Sequence, residues 1–157
     1  MDKERRQAFS VRITKSNRTE LIAIMYELME LYLEDAQAAR EADQHELFKQ
    51  NIRAADQVLA ELMGILDFKY EISGNLYQIY GFCREQLAAS LYRYDCAAMQ
   101  EARALINQLG KAFHELAAQD TSEALMSNTE EVAYGMTYGR SDISETYTTE
   151  SNRGFFA

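Results

Sequence analysis

Apolar residues recur at helical spacing in four successive stretches, each bracketed by polar residues suited to starting or stopping a helix. In the first, Leu21, Ile24, Met25, Leu28, Leu31 and Tyr32 fall on one stripe, with Glu27, Glu30, Glu34 and Asp35 mostly off it. Asn17 and Glu20 have the spacing of a capping box, in which two side chains satisfy free backbone N–H groups at a helix start. The pattern predicts a helix over about 18–42, ending in an alanine-rich, helix-favouring run. Asp43 with Glu46 repeats the box and predicts a second helix over about 44–69. Its buried face is Leu47, Phe48, Ile52, Ala55, Leu59, Leu62, Met63 and Leu66. After a turn within 67–73, a third helix over about 73–94 buries Leu76, Ile79, Tyr80, Cys83, Leu87, Leu91 and Tyr94. Asp95 caps a fourth over about 96–119, burying Met99, Ala102, Leu105, Ile106, Leu109, Phe113 and Leu116.

Short turns force neighbouring helices to run antiparallel. The expected fold is therefore all-α, an antiparallel up-down four-helix bundle over 17–120. Residues 1–16 form a basic N-terminal arm, and 121–157 an acidic, aromatic-containing, largely irregular C-terminal extension. In that extension Asn128 and Glu131 have the spacing to cap one short helical turn around 129–134. Tyr134, Tyr138, Phe155 and Phe156 give it more aromatic side chains than a purely solvated tail carries, so part of it is expected to dock on its own bundle or on a partner.

Composition sharpens this picture. The absence of proline and the scarcity of glycine before position 110 leave long helices uninterrupted. A formal charge of -9 repels phosphate, which removes nucleic acid as a partner class. Lys3, Arg5, Arg6, Arg12, Lys15 and Arg18 make the first twenty residues an exception, but Asp2 and Glu4 are out of place in a targeting presequence, so this reads as a solvated arm. No apolar run approaches the ~18 residues that span a bilayer, so no membrane span is expected. Cys83 lies on an apolar stripe and Cys96 follows a turn; a disulfide between them is open, and a reducing cytoplasm fits a chain with two cysteines.

Catalytic chemistry finds no foothold. A di-metal site in a bundle needs a Glu-x-x-His pair on each of two helices, whereas Ala42 and Lys111 stand three residues before His45 and His114. No glycine-rich loop leads into a Lys-Ser/Thr helix start, and neither cysteine sits in a nucleophile motif. The expectation is no catalytic residue, no cofactor and no bound metal; the two histidines read as exposed residues near helix ends. Apolar residues beside the main stripes open a different question. Tyr26, Met29 and Leu33, with Tyr77 and Phe82, either widen those stripes or line a groove for another chain's helices. They are the candidate partner-binding residues.

Two stretches resemble the flagellin-specific export chaperones of the FliS family. The first runs from Ile13 to Glu27, where Glu20-Leu21 and Met25-Tyr26 match the opening of the family's first helix, although Arg18 stands at a common proline position. The second is Leu59-Ala60-Glu61-Leu62-Met63-Gly64-Ile65-Leu66-Asp67 followed by Asn75-Leu76-Tyr77-Gln78-Ile79-Tyr80. Asp95, after Tyr94, fits the family's break before its last helix. The resemblance spans about 10–118 and implies a cytoplasmic, non-enzymatic chaperone. Its implied partner is the disordered carboxy-terminal segment of flagellin, kept from premature polymerisation and held competent for type III export. Further implied partners are other flagellar regulators or export-gate proteins. The resemblance also implies an amino-terminal arm that covers part of the binding surface, with Phe9 and Ile13 as its apolar contacts. The alternatives are a helical adaptor for another secretion or flagellar component, and a metal-dependent bundle enzyme.

Overall fold

A computed structural model describes residues 1–126, and all regular structure among them is helical. Five helices follow in order: α1 (Lys3–Lys15), α2 (Arg18–Glu41), α3 (His45–Gly64), α4 (Glu71–Arg93) and α5 (Ala97–Gln119). The last four stand where the periodicity places them, except that α3 stops well short of 69. The arm is itself a helix. The turn expected at 129–134 and the aromatics Tyr134, Tyr138, Phe155 and Phe156 lie outside the described residues.

Helices α2 and α4 each pack against both α3 and α5, closing a ring of four, while α1 packs on α2 from outside. The start of α2, end of α3, start of α4 and end of α5 meet at one end, around Ile22, Leu66, Leu76 and Phe113. The core between them holds Met29, Leu33, Phe48, Ile52, Leu59, Leu62, Tyr80, Leu87, Met99 and Ile106.

The termini show which local signals win. The Asn17–Glu20 capping box forms, with both backbone N–H groups satisfied by the opposite side chain. The Asp43–Glu46 box does not. Asp43 adopts a left-handed backbone (φ 54°) to end α2, and its carboxylate accepts a hydrogen bond from the Tyr94 hydroxyl at 3.1 Å. A tertiary partner has displaced a local cap. Tyr94, also left-handed (φ 55°), ties this end together: its ring stacks on His45 at 4.0 Å, meets Phe48 edge-on at 5.2 Å and lies under the Arg40 guanidinium. At the start of α5, Asp95 accepts the Ala97 N–H at 3.0 Å, and the buried Ser90 hydroxyl accepts that of Met99 at 2.7 Å.

The buried line of α2 differs from the expected stripe. Ala23, Ile24, Tyr26, Met29, Leu33, Ala36 and Ala39 are buried, whereas Leu21, Met25, Leu28, Leu31 and Tyr32 are half-buried. Helix α2 touches three other helices, so its large flanking residues fill edges while small ones reach the axis. Gly110 of α5 lets the two backbones approach: a Cβ there would lie 3.3 Å from the Tyr26 Cβ. The Tyr26 ring stacks on Phe113 at 5.3 Å, and its hydroxyl shares a hydrogen bond of 2.6 Å with that of Tyr80. Burial raises both phenol pKa values, so the pair stays neutral and mutually satisfied. Cys83 is buried nearby, its thiol pushed up to about 11 by burial, and both cysteines are free.

Candidate functional site

Among the described residues, the α3–α4 turn carries the largest concentration of solvent-facing apolar side chains. Phe68 is 63% exposed, Tyr70 66% and Ile72 62%, with Ile65 also exposed. Asp67 organises the turn: its carboxylate accepts the Lys69 N–H at 3.0 Å, and its carbonyl accepts the Ser73 hydroxyl at 2.6 Å. With its polar groups satisfied internally, the turn can afford apolar side chains on its outside. The last turn of α3 has no basic residue of its own; Arg18 of α2 reaches the Ile65 carbonyl at 3.3 Å and supplies one. Inside this rim lies a cleft of about 450 Å³, walled by Ile22, Leu62, Leu66, Leu76, Phe113 and Leu116, with Arg18 and Asp67 as its charged members.

The candidate groove residues separate into two groups. Tyr26 (2% exposed), Met29 (0%) and Leu33 (0%) belong to the core, so they cannot present side chains to a partner in this conformation. Of the two readings of these residues, the widened stripe is the one the packing shows, and the groove reading is corrected for them. Tyr77 and Phe82 on α4 are at the surface, 47% and 40% exposed. Tyr77 joins the turn, its ring edge-on to Phe68 at 5.8 Å. Leu116 and Leu47, expected in the core, are also exposed, and Leu116 forms a cleft wall. Ile65, Phe68, Tyr70 and Ile72 were missed because the helix expected to run to 69 ends at Gly64, which turns its last apolar residues outward. Their signal was compositional: large apolar residues crowded into a turn, where polar ones are the norm.

Helix α1 covers a second hollow, of about 430 Å³, between α2 and α5. Val11, Arg12 and Lys15 face it, with Ala23, Ile24, Glu27, His114 and Ala117 opposite. Phe9 and Ile13 do not line it: one turn apart on a helix, they fall on a different face from Val11 and Lys15. Phe9 is half-buried beside Arg12, and Ile13 is exposed. No residue of α1 is fully buried, and a helix of this length is marginal alone. Ionic contacts help to hold it on α2, beside the half-buried Phe9 and the amino terminus paired with Asp35. Arg12 donates twice to the Glu27 carboxylate, at 2.5 and 2.8 Å, and His114 approaches the same carboxylate at 3.2 Å.

The hydrogen bonds from Arg12 hold the Glu27 carboxyl below its ordinary value of 4.5, outweighing partial burial. A depressed folded-state pKa means that the pair stabilises α1 docking above about pH 4.5 and stops doing so as the pH falls through the lower value. Both groups are partly exposed, so the contribution is about 0.5–1 kcal/mol. Glu27→Gln should therefore speed amide exchange of residues 3–15 about two- to fivefold at pH 7 and leave α3 and α4 unchanged. Equal exchange of α1 in both proteins would contradict the ionic hold.

Among the described residues, no group of three or more His, Cys, Asp or Glu is placed to hold a metal ion, and no helix is long and apolar enough to cross a membrane. His45 and His114 are exposed, near helix ends as expected.

Residues 1–120 match a family of chaperones that act in flagellar assembly and export. Its description is Flagellar protein FliS, and the chain belongs to this family. The match ends with α5 and leaves 121–157 outside it. No curated protein matches the chain.

Proposed function

We propose that the protein is a cytoplasmic chaperone, without enzymatic activity, that binds the disordered carboxy-terminal segment of flagellin. It prevents premature polymerisation and keeps the segment competent for type III export. On this reading α2–α5 form an antiparallel up-down four-helix bundle whose cleft end, rimmed by Ile65, Phe68, Tyr70, Ile72 and Tyr77, is where the apolar face of the segment docks. The carrying observation is this exposed apolar rim around a preformed cleft, in a chain of the FliS family. Soluble proteins rarely leave such side chains clustered in water without a partner for them.

The energetics agree. Ordering a disordered segment costs several kcal/mol, about 2–5 or more, which a large apolar contact must offset. The cleft and its rim provide that contact, while the net charge of -9 keeps the exposed rim from driving self-association. Phe82 is a further proposed contact on α4. Titration calorimetry of the full chain with a carboxy-terminal flagellin segment should show one-to-one binding of about 1 µM or tighter. No heat and no shift on size exclusion would overturn the reading. Binding to an export-gate protein but not to flagellin would favour the adaptor instead.

A further inference from the structure

The described chain leaves the bundle beside the apolar cleft and is fastened there. Past α5, the Asp120 carboxylate accepts the Thr19 hydroxyl at 2.6 Å, and the Asn17 side-chain amide donates to the Ser122 carbonyl at 3.2 Å. The Leu125 N–H donates to the Ser16 carbonyl at 3.0 Å. These bonds hold 120–125 against the start of α2, and Arg18, next to Asn17, is a wall of the cleft. The described residues therefore end, at Met126, on the cleft end of the bundle.

We propose that the segment 134–138 of this same chain, Tyr134-Gly135-Met136-Thr137-Tyr138, occupies the cleft when no other chain does. Three arguments select this occupant. Reach is sufficient, because the eight residues from Met126 to Tyr134 span up to about 26–29 Å when extended. Chemistry fits, since two tyrosines and a methionine within five positions match walls of Ile22, Leu66, Leu76 and Phe113. The tether favours it: a short linker gives an effective concentration of about a millimolar, so even a weak contact is substantially populated. A second copy has no such advantage and must overcome the repulsion of two chains of charge -9. The segment lies outside the family match. The docking is independent of flagellin. Only its consequence, competition between the segment and flagellin for one cleft, rests on the function proposed above.

The test compares amide exchange of the full-length protein with that of the full-length Tyr134→Ser/Tyr138→Ser variant, without flagellin. A segment docked about four-fifths of the time leaves the cleft open one-fifth of the time, so exchange over 65–76 should rise about fivefold in the variant. Exchange over 97–106 should not change. Equal exchange over 65–76 in the two proteins overturns the proposal. So does protection that falls on tenfold dilution of the wild type, which would assign the occupant to a second copy. Calorimetry then separates the consequence: a shared cleft makes the variant bind the flagellin segment about fivefold tighter. Equal affinities beside a clear exchange difference support the docking and overturn the competition. Absence of flagellin binding by both proteins overturns the proposed function and leaves the docking standing.

Discussion

Ile72→Glu and Leu116→Lys should each weaken binding of the flagellin segment at least about tenfold, and together abolish measurable binding. Both side chains are more than half exposed at the cleft, so their loss costs the free protein little, within about 0.5 kcal/mol. Each new charge also falls on the favourable end of a helix dipole. Ile72 is in the first turn of α4, where a carboxylate is stabilising, and Leu116 is in the last turn of α5, where an ammonium is. The variants should therefore unfold like the wild type. In the complex the same charges would be stripped of water against an apolar segment without a partner, a cost of at least about 1.4 kcal/mol each, which is the tenfold effect. Tyr92→Glu is the control: Tyr92 is almost wholly exposed near the far end of α4, and binding should not respond. Wild-type affinity in the double variant would remove the cleft from the binding surface.

Leu33→Ala should do the opposite, lowering unfolding stability by about 2–5 kcal/mol in urea while leaving flagellin affinity per folded molecule unchanged. Leu33 is fully buried in a cluster with Tyr26, Met29 and Phe48. Shortening it removes apolar burial and leaves a cavity that rigid neighbouring helices fill only in part. A groove residue would behave in reverse, with stability kept and affinity lost. The pair of outcomes distinguishes core from surface for a residue whose sequence context allows both.

The sequence made the helices legible because their cause is local. Periodicity over 18–119 and the Asn17–Glu20 box act within a few residues, and α2, α4 and α5 end within about two residues of expectation. The Asp43 box failed for a reason no local window contains: its carboxylate had a better partner in Tyr94, at the far end of α4. The site was read less well, and again the reason is physical. Periodicity fixes a stripe's phase only to within a residue or so, and on α2 the large residues Leu21, Leu28 and Leu31 outweighed Ala36 and Ala39, which in fact mark the central line. That error moved Tyr26, Met29 and Leu33 outward. Tyr77 and Phe82 came out at the surface because α4 is flanked by α3 and α5 alone and keeps an open side. The richest part of the site, Ile65 to Ile72, spans the stretch over which the helix pattern was carried on to 69, although α3 ends at Gly64, and the turn that follows.

The two ends of the bundle are fastened in different ways. At the Tyr94 end, stacking on His45, the cation over the ring and the hydroxyl bond to Asp43 bring three contacts, to α3, α2 and the turn between them, onto one side chain. At the other end the ties are spread over several residues, with Arg18 on the Ile65 carbonyl, Thr19 on Asp120, Asn17 on Ser122 and Ser16 on Leu125, beside the apolar walls of the cleft. On the proposed function, a segment drawn out of the cleft breaks apolar contacts at that end, while the Tyr94 contacts at the opposite end are left untouched and keep the helices in register.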